Sequence, residues 1–342
     1  MVFAGEYPGD YGLGGAMKKT VNQLQLQAQN RKFAYRGAFV RSSSPDIERS
    51  LLYDVLSRKR VNAMFFLSGN LLAILDLVTR YPEQKFALPL ISDIGTRSVP
   101  SNLKMTRIRL EQGAFLAGII AAKMTRRNKI GMMIDMSERD SEAAAYAFVQ
   151  GVRQINRESS IIVVRSEPNE STLENETTRM VSADDVDILF AMSGNYNDVI
   201  IRSAYYLGQD ILLINSWYNA EQEWPGQVIA SLMVSFDPIM DNFMKSSANS
   251  EDFNTLPPLR VYDLSDKDVL YLSWDGQDRT MFEAERPEYQ VLSQETRKET
   301  TRWVKRIQNG EFVVFDMTKD GTPSAEMQSF RFRNSQNFSV ID

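Results

Sequence analysis

The segment EQGAFLAGIIAAKMTRRNKIGMMI, Glu111 to Ile134, constrains the fold of this 342-residue chain more than any other. Phe115, Ile119 and Ala122 recur at helical spacing, and Leu116 and Ile120 widen the apolar stripe. Gly113, Ala114, Ala117, Gly118, Ala121 and Ala122 keep much of the helix surface small, so a neighbour can approach very closely. Lys123, Arg126, Arg127 and Lys129 follow, where a helix C-terminus favours positive charge. Ile130 to Ile134 then run apolar, as a buried α/β strand does. The segment reads as a helix feeding a buried strand through a short basic turn.

The same alternation extends along the chain. Val2–Ala4 ends a first strand, followed by a Gly-rich turn from Gly5 to Gly15, a helix over Ala16–Gln29 and an extended Phe33–Val40. Pro45–Ser57 is helical with proline in its first turn. Val61–Leu67 is a buried strand and Leu71–Tyr81 an amphipathic helix. Lys85–Ile91 is apolar, but Pro89 demotes it to an edge or bulged strand. Further on, helices are predicted over Ser141–Asn156, Asn197–Leu207, Asp237–Ser246 and Ser293–Ile307. Strands are predicted at Leu103–Leu110, Ile161–Arg165, Asp187–Met192, Ile211–Asn215 and Gln227–Val234, with Leu259–Trp274 extended and a polar segment after Arg165. Strands alternating with helices imply parallel sheets covered on both faces, and two such series imply two α/β lobes. The Met132, Met133 and Met136 cluster reads as core, and Asp184 and Asp185 as solvated.

Composition narrows function. The chain has no cysteine and no histidine. That removes thiol nucleophiles, Ser-His-Asp triads, imidazole acid–base chemistry and Cys/His zinc sites together. Carboxylate or lysine chemistry would remain, but no paired-carboxylate signal appears, so an enzyme and a catalytic cofactor are not expected. A net charge of −5 argues against a nucleic-acid partner.

In α/β sheets ligands bind beyond the carboxyl ends of strands. Three such turns stand out: Ser68-Gly69-Asn70, Ser193-Gly194-Asn195-Tyr196-Asn197-Asp198 and Asn215-Ser216-Trp217-Tyr218-Asn219. Their Gly, Asn and Ser residues serve equally as turn and capping residues. Trp217 and Tyr218 are harder to explain as turn residues, and large aromatics there suit a flat π-ligand. Tyr7 and Tyr11 in the opening loop would supply its opposite face, and Asp93 would accept from ring N–H groups or else sit in a surface loop. The opening glycines do not form a phosphate-cradling pattern.

With YPEQKFAL (Tyr81–Leu88), EQGAFLAGIIAAKM, FVQGVRQIN (Phe148–Asn156), DILFAMSG (Asp187–Gly194) and GQVIASLMVSFD (Gly226–Asp237) in order, the chain resembles the basic membrane protein and purine-nucleoside-binding lipoprotein family. These are substrate-binding subunits of ABC importers. The similarity runs from about Asn62 to Phe315, and the stretch from Ser293-Gln294-Glu295 to Asn309-Gly310-Glu311 looks like one branch of the family. The resemblance implies an α/β, two-lobed type I periplasmic-binding-protein fold, each lobe a parallel sheet flanked by helices, with three inter-lobe crossovers. It places an N-terminal lobe at 1–107 and 235–262, a C-terminal lobe at 108–234 and 263–315, and a tail at 316–342. It also implies a permease partner, a periplasmic location, and a lipid anchor outside this stretch of chain.

The departures from the family pattern bear on the ligand. Nucleoside-binding members hold the ribose with an acidic residue after the strand equivalent to Ile211–Ile214 and a lysine in the segment equivalent to Ser231–Asp237. Here those positions are Asn215 and Val234. Trp217 stands where the family tends to have a second Asp, and SEPNESTLE lacks the aromatic that members carry after the Ile161-type strand. The chain looks most like the riboflavin-binding members from treponeme-type spirochaetes. Riboflavin is therefore the expected transported ligand, its ring stacked in the inter-lobe cleft and its ribityl chain on amides and serines. The residues expected to carry it are Tyr7, Tyr11, Ser68, Asn70, Asp93, Gly194, Asn195, Tyr196, Asn197, Asn215, Trp217 and Tyr218. A purine nucleoside is the alternative within the family, and a surface interaction protein or ligand sensor the alternative outside it.

Overall fold

A computed structural model describes residues 2–4, 16, 18–22, 25–26, 37–39, 45–58, 61–66, 71–88, 99–135, 139–167, 169–208, 210–221, 223–274 and 291–335. The strands are β1 (Val2–Ala4), β2 (Gly37–Phe39), β3 (Ala63–Phe66), β4 (Lys85–Leu88), β5 (Leu103–Ile108), β6 (Lys129–Asp135) and β7 (Ser160–Ser166). They continue with β8 (Ile188–Met192), β9 (Leu212–Trp217), β10 (Val228–Val234), β11 (Leu259–Tyr262), β12 (Leu270–Leu272) and β13 (Arg331–Asn334). The helices used below are α1 (Pro45–Arg58), α2 (Leu71–Arg80), α3 (Leu110–Met124), α4 (Arg139–Ile155) and α5 (Glu170–Ser182). After them come α6 (Asn197–Tyr206), α7 (Asp237–Ser247), α8 (Ser250–Thr255), α9 (Gln294–Gln308) and α10 (Met317–Asp320).

The chain divides into two compact units, one of residues 1–10, 14–108 and 235–262, the other of 11–13, 109–234 and 263–342. Unit one carries a parallel sheet in the order β11-β5-β4-β3-β1-β2. Its core joins α1 and α2 to the strands through Leu52, Leu56, Ile74, Leu77 and Val78, with Phe66 and Phe86 stacked 6.0 Å apart. β4 lies inside this sheet, not at its edge as Pro89 suggested. The described strand is Lys85–Leu88, and Pro89 lies outside the described residues.

Unit two carries the order β12-β10-β9-β8-β6-β7-β13, parallel except for β12 against β10. Helices α3, α4 and α9 pack as one group and α5 and α6 as another. Helix α3 is buried from Leu110 to Ala122. Its small residues do what their size suggested: a Cβ on Gly118 would run into the carbonyl oxygen of Phe148, and one on Gly151 into that of Phe115. The two helices meet backbone to backbone.

The polar segment after β7 folds as α5, which sequence reading left unassigned. Asn169 caps it, its side-chain oxygen accepting from the Thr172 N–H at 2.9 Å, and Leu173, Thr177, Met180 and Val181 form its buried stripe. Residues 316–334, expected as a tail outside both lobes, belong to unit two. They supply α10 and the edge strand β13, which pairs with β7 through Arg331↔Ile162 to Asn334↔Arg165. Arg153 holds the approach to β13, donating to the Ser329 hydroxyl at 3.2 Å and its carbonyl at 2.7 Å. Arg333, 8% exposed at its side chain, pairs with Glu176 and Asp184. Asp184 is thus an ion-pair partner, not a solvated carboxylate.

Where the chain enters unit two, Arg109 meets Glu111 at 2.9 Å and Asp316 at 3.6 Å. Gln112 accepts from the Leu264 N–H at 3.0 Å, and Gln308 donates to the Leu264 carbonyl at 2.7 Å. The chain is therefore tied to α3 at Arg109 and at Leu264, and at Leu264 also to α9. Among the described residues no helix is long and apolar enough to cross a membrane.

Gly118→Ala should lower unfolding free energy by about 1–3 kcal/mol, because the Phe148 carbonyl belongs to a helix and cannot swing aside. Urea denaturation should show a lower midpoint with an unchanged slope.

Candidate functional site

Strands β8 and β9 are neighbours in unit two, so the turns that leave their carboxyl ends are brought together. This is the place in a parallel sheet where ligands bind. After Met192 the chain makes a tight turn through Gly194, whose φ of 58° is in the left-handed region. Asn197 then opens α6 with its side chain fully buried.

Asn197 is the knot of the site. Its carbonyl oxygen accepts from the Ser193 N–H at 2.7 Å. Its amide nitrogen reaches the Ala191 carbonyl (3.1 Å), Asn215 Oδ1 (3.0 Å), the Ser216 carbonyl (3.2 Å) and Ser216 Oγ (2.8 Å). Ser216 Oγ donates to the Ala191 carbonyl at 2.9 Å, and Asn215 Nδ2 donates to the Tyr218 carbonyl at 2.8 Å. Asn197 and Asn215, expected to face a polyol, spend both ends of their amides on bracing β8 to β9. An amide has two hydrogens, and the Asn197 hydrogens are already shared among four acceptors.

Trp217, expected to stack on a flat ligand, lies within the sheet. β9 runs on to Trp217, which pairs with Met233 of β10 inside the ladder and is 2% exposed. Its φ is 78°, and the other non-glycine residues with positive φ among the described residues are Asn128 and Asp185. Asn and Asp tolerate that region, whereas a bulky aromatic there costs about 1–3 kcal/mol. Its indole Nε1 and the Ser193 hydroxyl are buried with no hydrogen-bond partner among the described residues. Backbone strain and an unpartnered polar atom at one residue make Trp217 the candidate functional position of this site.

The remaining expected residues divide into two groups. Tyr196 and Tyr218 are half-buried and pack on the core beneath α5 and α6, with Gly194 and Asn195 beside them. Tyr7, Tyr11, Ser68, Asn70 and Asp93 lie outside the described residues.

Sequence reading missed several polar groups here. Ser231 and Ser273 form a buried seam along β10 and β12, Ser273 Oγ accepting from the Ser231 N–H at 3.2 Å and donating to the Glu221 carboxylate. Serines inside apolar strands carry no signal until the partner strand is known. Asp198, in the first turn of α6, has its carboxyl held above the ordinary range by burial, partly offset by Arg202. Glu223 is raised as well, by burial and then by the charge of Asp198.

Parallel α/β units of this kind occur both in solute-binding proteins and in transcriptional regulators, so the fold alone does not fix the class. A family model described as Bmp, ABC transporter substrate-binding protein PnrA-like, matches residues 10–318, and the chain belongs to that family. It is 30% identical over 150 residues to basic membrane protein D of Borreliella burgdorferi strain JD1, covering 43% of each chain. It is 25% identical over 199 residues to basic membrane protein C of Borreliella burgdorferi strain N40, covering 56% of this chain and 55% of that one. The chain thus spans about half the length of the curated relatives it matches. A solute-binding protein of an ABC transporter system from Aeropyrum pernix K1 superposes with a TM-score of 0.73 at 15% identity, covering 92% of both chains. A transcriptional activator of the comK gene from Bacillus halodurans gives 0.67 at 16% identity, covering 91% of this chain and 98% of that one. These structural likenesses establish the type I periplasmic-binding-protein architecture.

Asn197→Ala should destabilise the protein by about 2–4 kcal/mol, because it strands the Ser193 N–H and the Asn215 carbonyl oxygen in a buried site. Chemical denaturation reads this directly. The raised Asp198 carboxyl makes the folded state hold a proton that the unfolded chain releases. Its contribution to stability is therefore full below the unfolded pKa and is lost as pH rises through the folded one. Asp198→Asn should remove that fall, giving a thermal midpoint less sensitive to pH above the ordinary carboxylate range.

Proposed function

We propose that this protein captures riboflavin outside the cytoplasm for an ABC importer, delivering it to a membrane permease while held to the membrane by a lipid anchor. The observation that carries this reading is Trp217: a strained, buried aromatic whose indole N–H has no acceptor among the described residues, at the carboxyl end of a central strand. Flavin carbonyl and ring-nitrogen atoms accept hydrogen bonds, and an isoalloxazine edge offers several of them in one plane.

The positions of the family's ribose clamp support a ligand other than a nucleoside. Asn215 stands at the acidic position, with its amide nitrogen on Tyr218 and its oxygen on Asn197. Val234 stands at the lysine position and is buried, 4% exposed. Neither offers a ribose hydroxyl a charged partner, and hydrogen bonds to charged groups are worth roughly 1.5–3 kcal/mol each.

Titration calorimetry with riboflavin, inosine, guanosine and adenosine tests the assignment, and riboflavin should bind tightest. Nucleosides binding as well or better would return the protein to the purine-nucleoside reading. Trp217→Phe keeps an aromatic ring on the strand but removes the N–H and part of the buried indole volume. Its unfolding free energy should fall by about 1–2 kcal/mol from the cavity left behind, while riboflavin affinity falls about three- to tenfold, read under conditions where the variant is fully folded. Unchanged affinity would remove the Trp217 N–H from the ligand contacts.

A further inference from the structure

A cavity in unit two, of about 330 Å³, lies at the β7/β13 edge under the N-terminal turns of α4. It is walled by Glu142, Tyr146, Arg165, Phe330, Phe332 and Asn334. β7 is three strand spacings of about 4.8 Å from β9, so the cavity is separate from the site around Trp217. Strand alternation builds it. Arg331 and Arg333 turn to the α5 side, where they meet Asp184 and Glu176. Phe330, Phe332 and Asn334 point the other way, toward α4. Register places Phe332 beside Val163 and Asn334 beside Arg165.

The polar equipment of this cavity is asymmetric. Arg165 enters no ion pair among the described residues, unlike its neighbours Arg331 and Arg333, and its charge is felt by the Tyr146 hydroxyl. Glu142 stands on the α4 wall, and burial, then the Glu142 charge, holds that hydroxyl above the ordinary tyrosine range. Between the two charges lies an aromatic surface: Phe330 meets Tyr146 edge-on at 5.8 Å and Phe332 at 5.6 Å. A free guanidinium suits a carboxylate in bidentate geometry, a nearby carboxylate suits an ammonium, and an aromatic wall suits an aromatic side chain. The volume falls at the small end of the range for small-molecule pockets.

We infer that this cavity is a binding site for a zwitterionic aromatic α-amino acid. Its carboxylate meets Arg165, its ammonium meets Glu142, and its ring lies against Phe330 and Phe332. The site exists only because the C-terminal segment adds β13 to the sheet.

The test is calorimetric or ligand-observed NMR titration of the full chain with L-phenylalanine, L-tyrosine and L-tryptophan. N-acetylphenylalanine, which lacks the ammonium, and phenylalanine amide, which lacks the carboxylate, serve as probes of each end. Arg165→Gln should weaken L-phenylalanine binding by roughly tenfold or more and leave phenylalanine amide unaffected. Glu142→Gln should weaken L-phenylalanine and leave N-acetylphenylalanine unaffected. Both side chains are partly exposed, so both variants should fold, and both should bind the ligand of the Trp217 site as the wild type does. No binding of any aromatic amino acid, or wild-type affinity in both variants, overturns the assignment. Equal binding of L-alanine and L-phenylalanine overturns the aromatic part of it.

Discussion

Unit two depends on the backbone contact between α3 and α4. Because Gly118 and Gly151 carry no Cβ, each helix rests against a carbonyl of the other, and α3 sits deep enough to be buried along nearly its whole length. A helix so placed is a rigid base for whatever it holds. Its first turn holds the chain just after it enters the unit, at Arg109 through Glu111 and at Leu264 through Gln112. The depth of α3 thus affects more than packing density, because these entry contacts sit on it.

The strand-end site combines two opposite solutions to polar burial. Asn197, Asn215 and Ser216 satisfy one another so fully that the turns after β8 and β9 behave as one body. Beside them Trp217 and Ser193 keep buried polar atoms without partners, and Trp217 has a backbone conformation that suits glycine. A satisfied brace next to an unsatisfied pair is what a preorganised ligand site requires: rigid support, with hydrogen-bonding capacity held in reserve.

The C-terminal segment shows a third use of polar groups. Arg333 brings two carboxylates, Glu176 and Asp184, into a partly dehydrated network at the sheet edge. Such pairs add little net stability compared with apolar packing, but they penalise wrong registers heavily. A strand slipped by one residue would turn Arg333 toward Tyr146 and Phe332 toward the carboxylates of α5. Arg153 reinforces the register from the other side by gripping Ser329.

Sequence alone determined the alternation of elements, the α/β class, the small face of α3 and the strand ends where polar turns gather. These are local properties: periodicity, residue size and turn chemistry are written in neighbouring residues. It also pointed to Gly194–Asn197 and Asn215–Tyr218 as one site, since both follow strands. Tertiary structure decided what each side chain there does. Asn197 looks the same in sequence whether it faces a ligand or a carbonyl, and only the adjacency of β8 and β9 commits it to the carbonyl of Ala191. Trp217 reads in sequence as a stacking aromatic at a strand end, and only its pairing with Met233 of β10 shows that it lies inside the ladder. Helix α5 and strand β13 were illegible for a related reason: α5 has a narrow apolar stripe in a polar segment, and β13 is short and charged on one face. β13 is held by partners more than 100 residues away, Glu176 and the β7 strand, and α5 by a core drawn from several separate strands and helices, and such contacts leave no trace in local sequence.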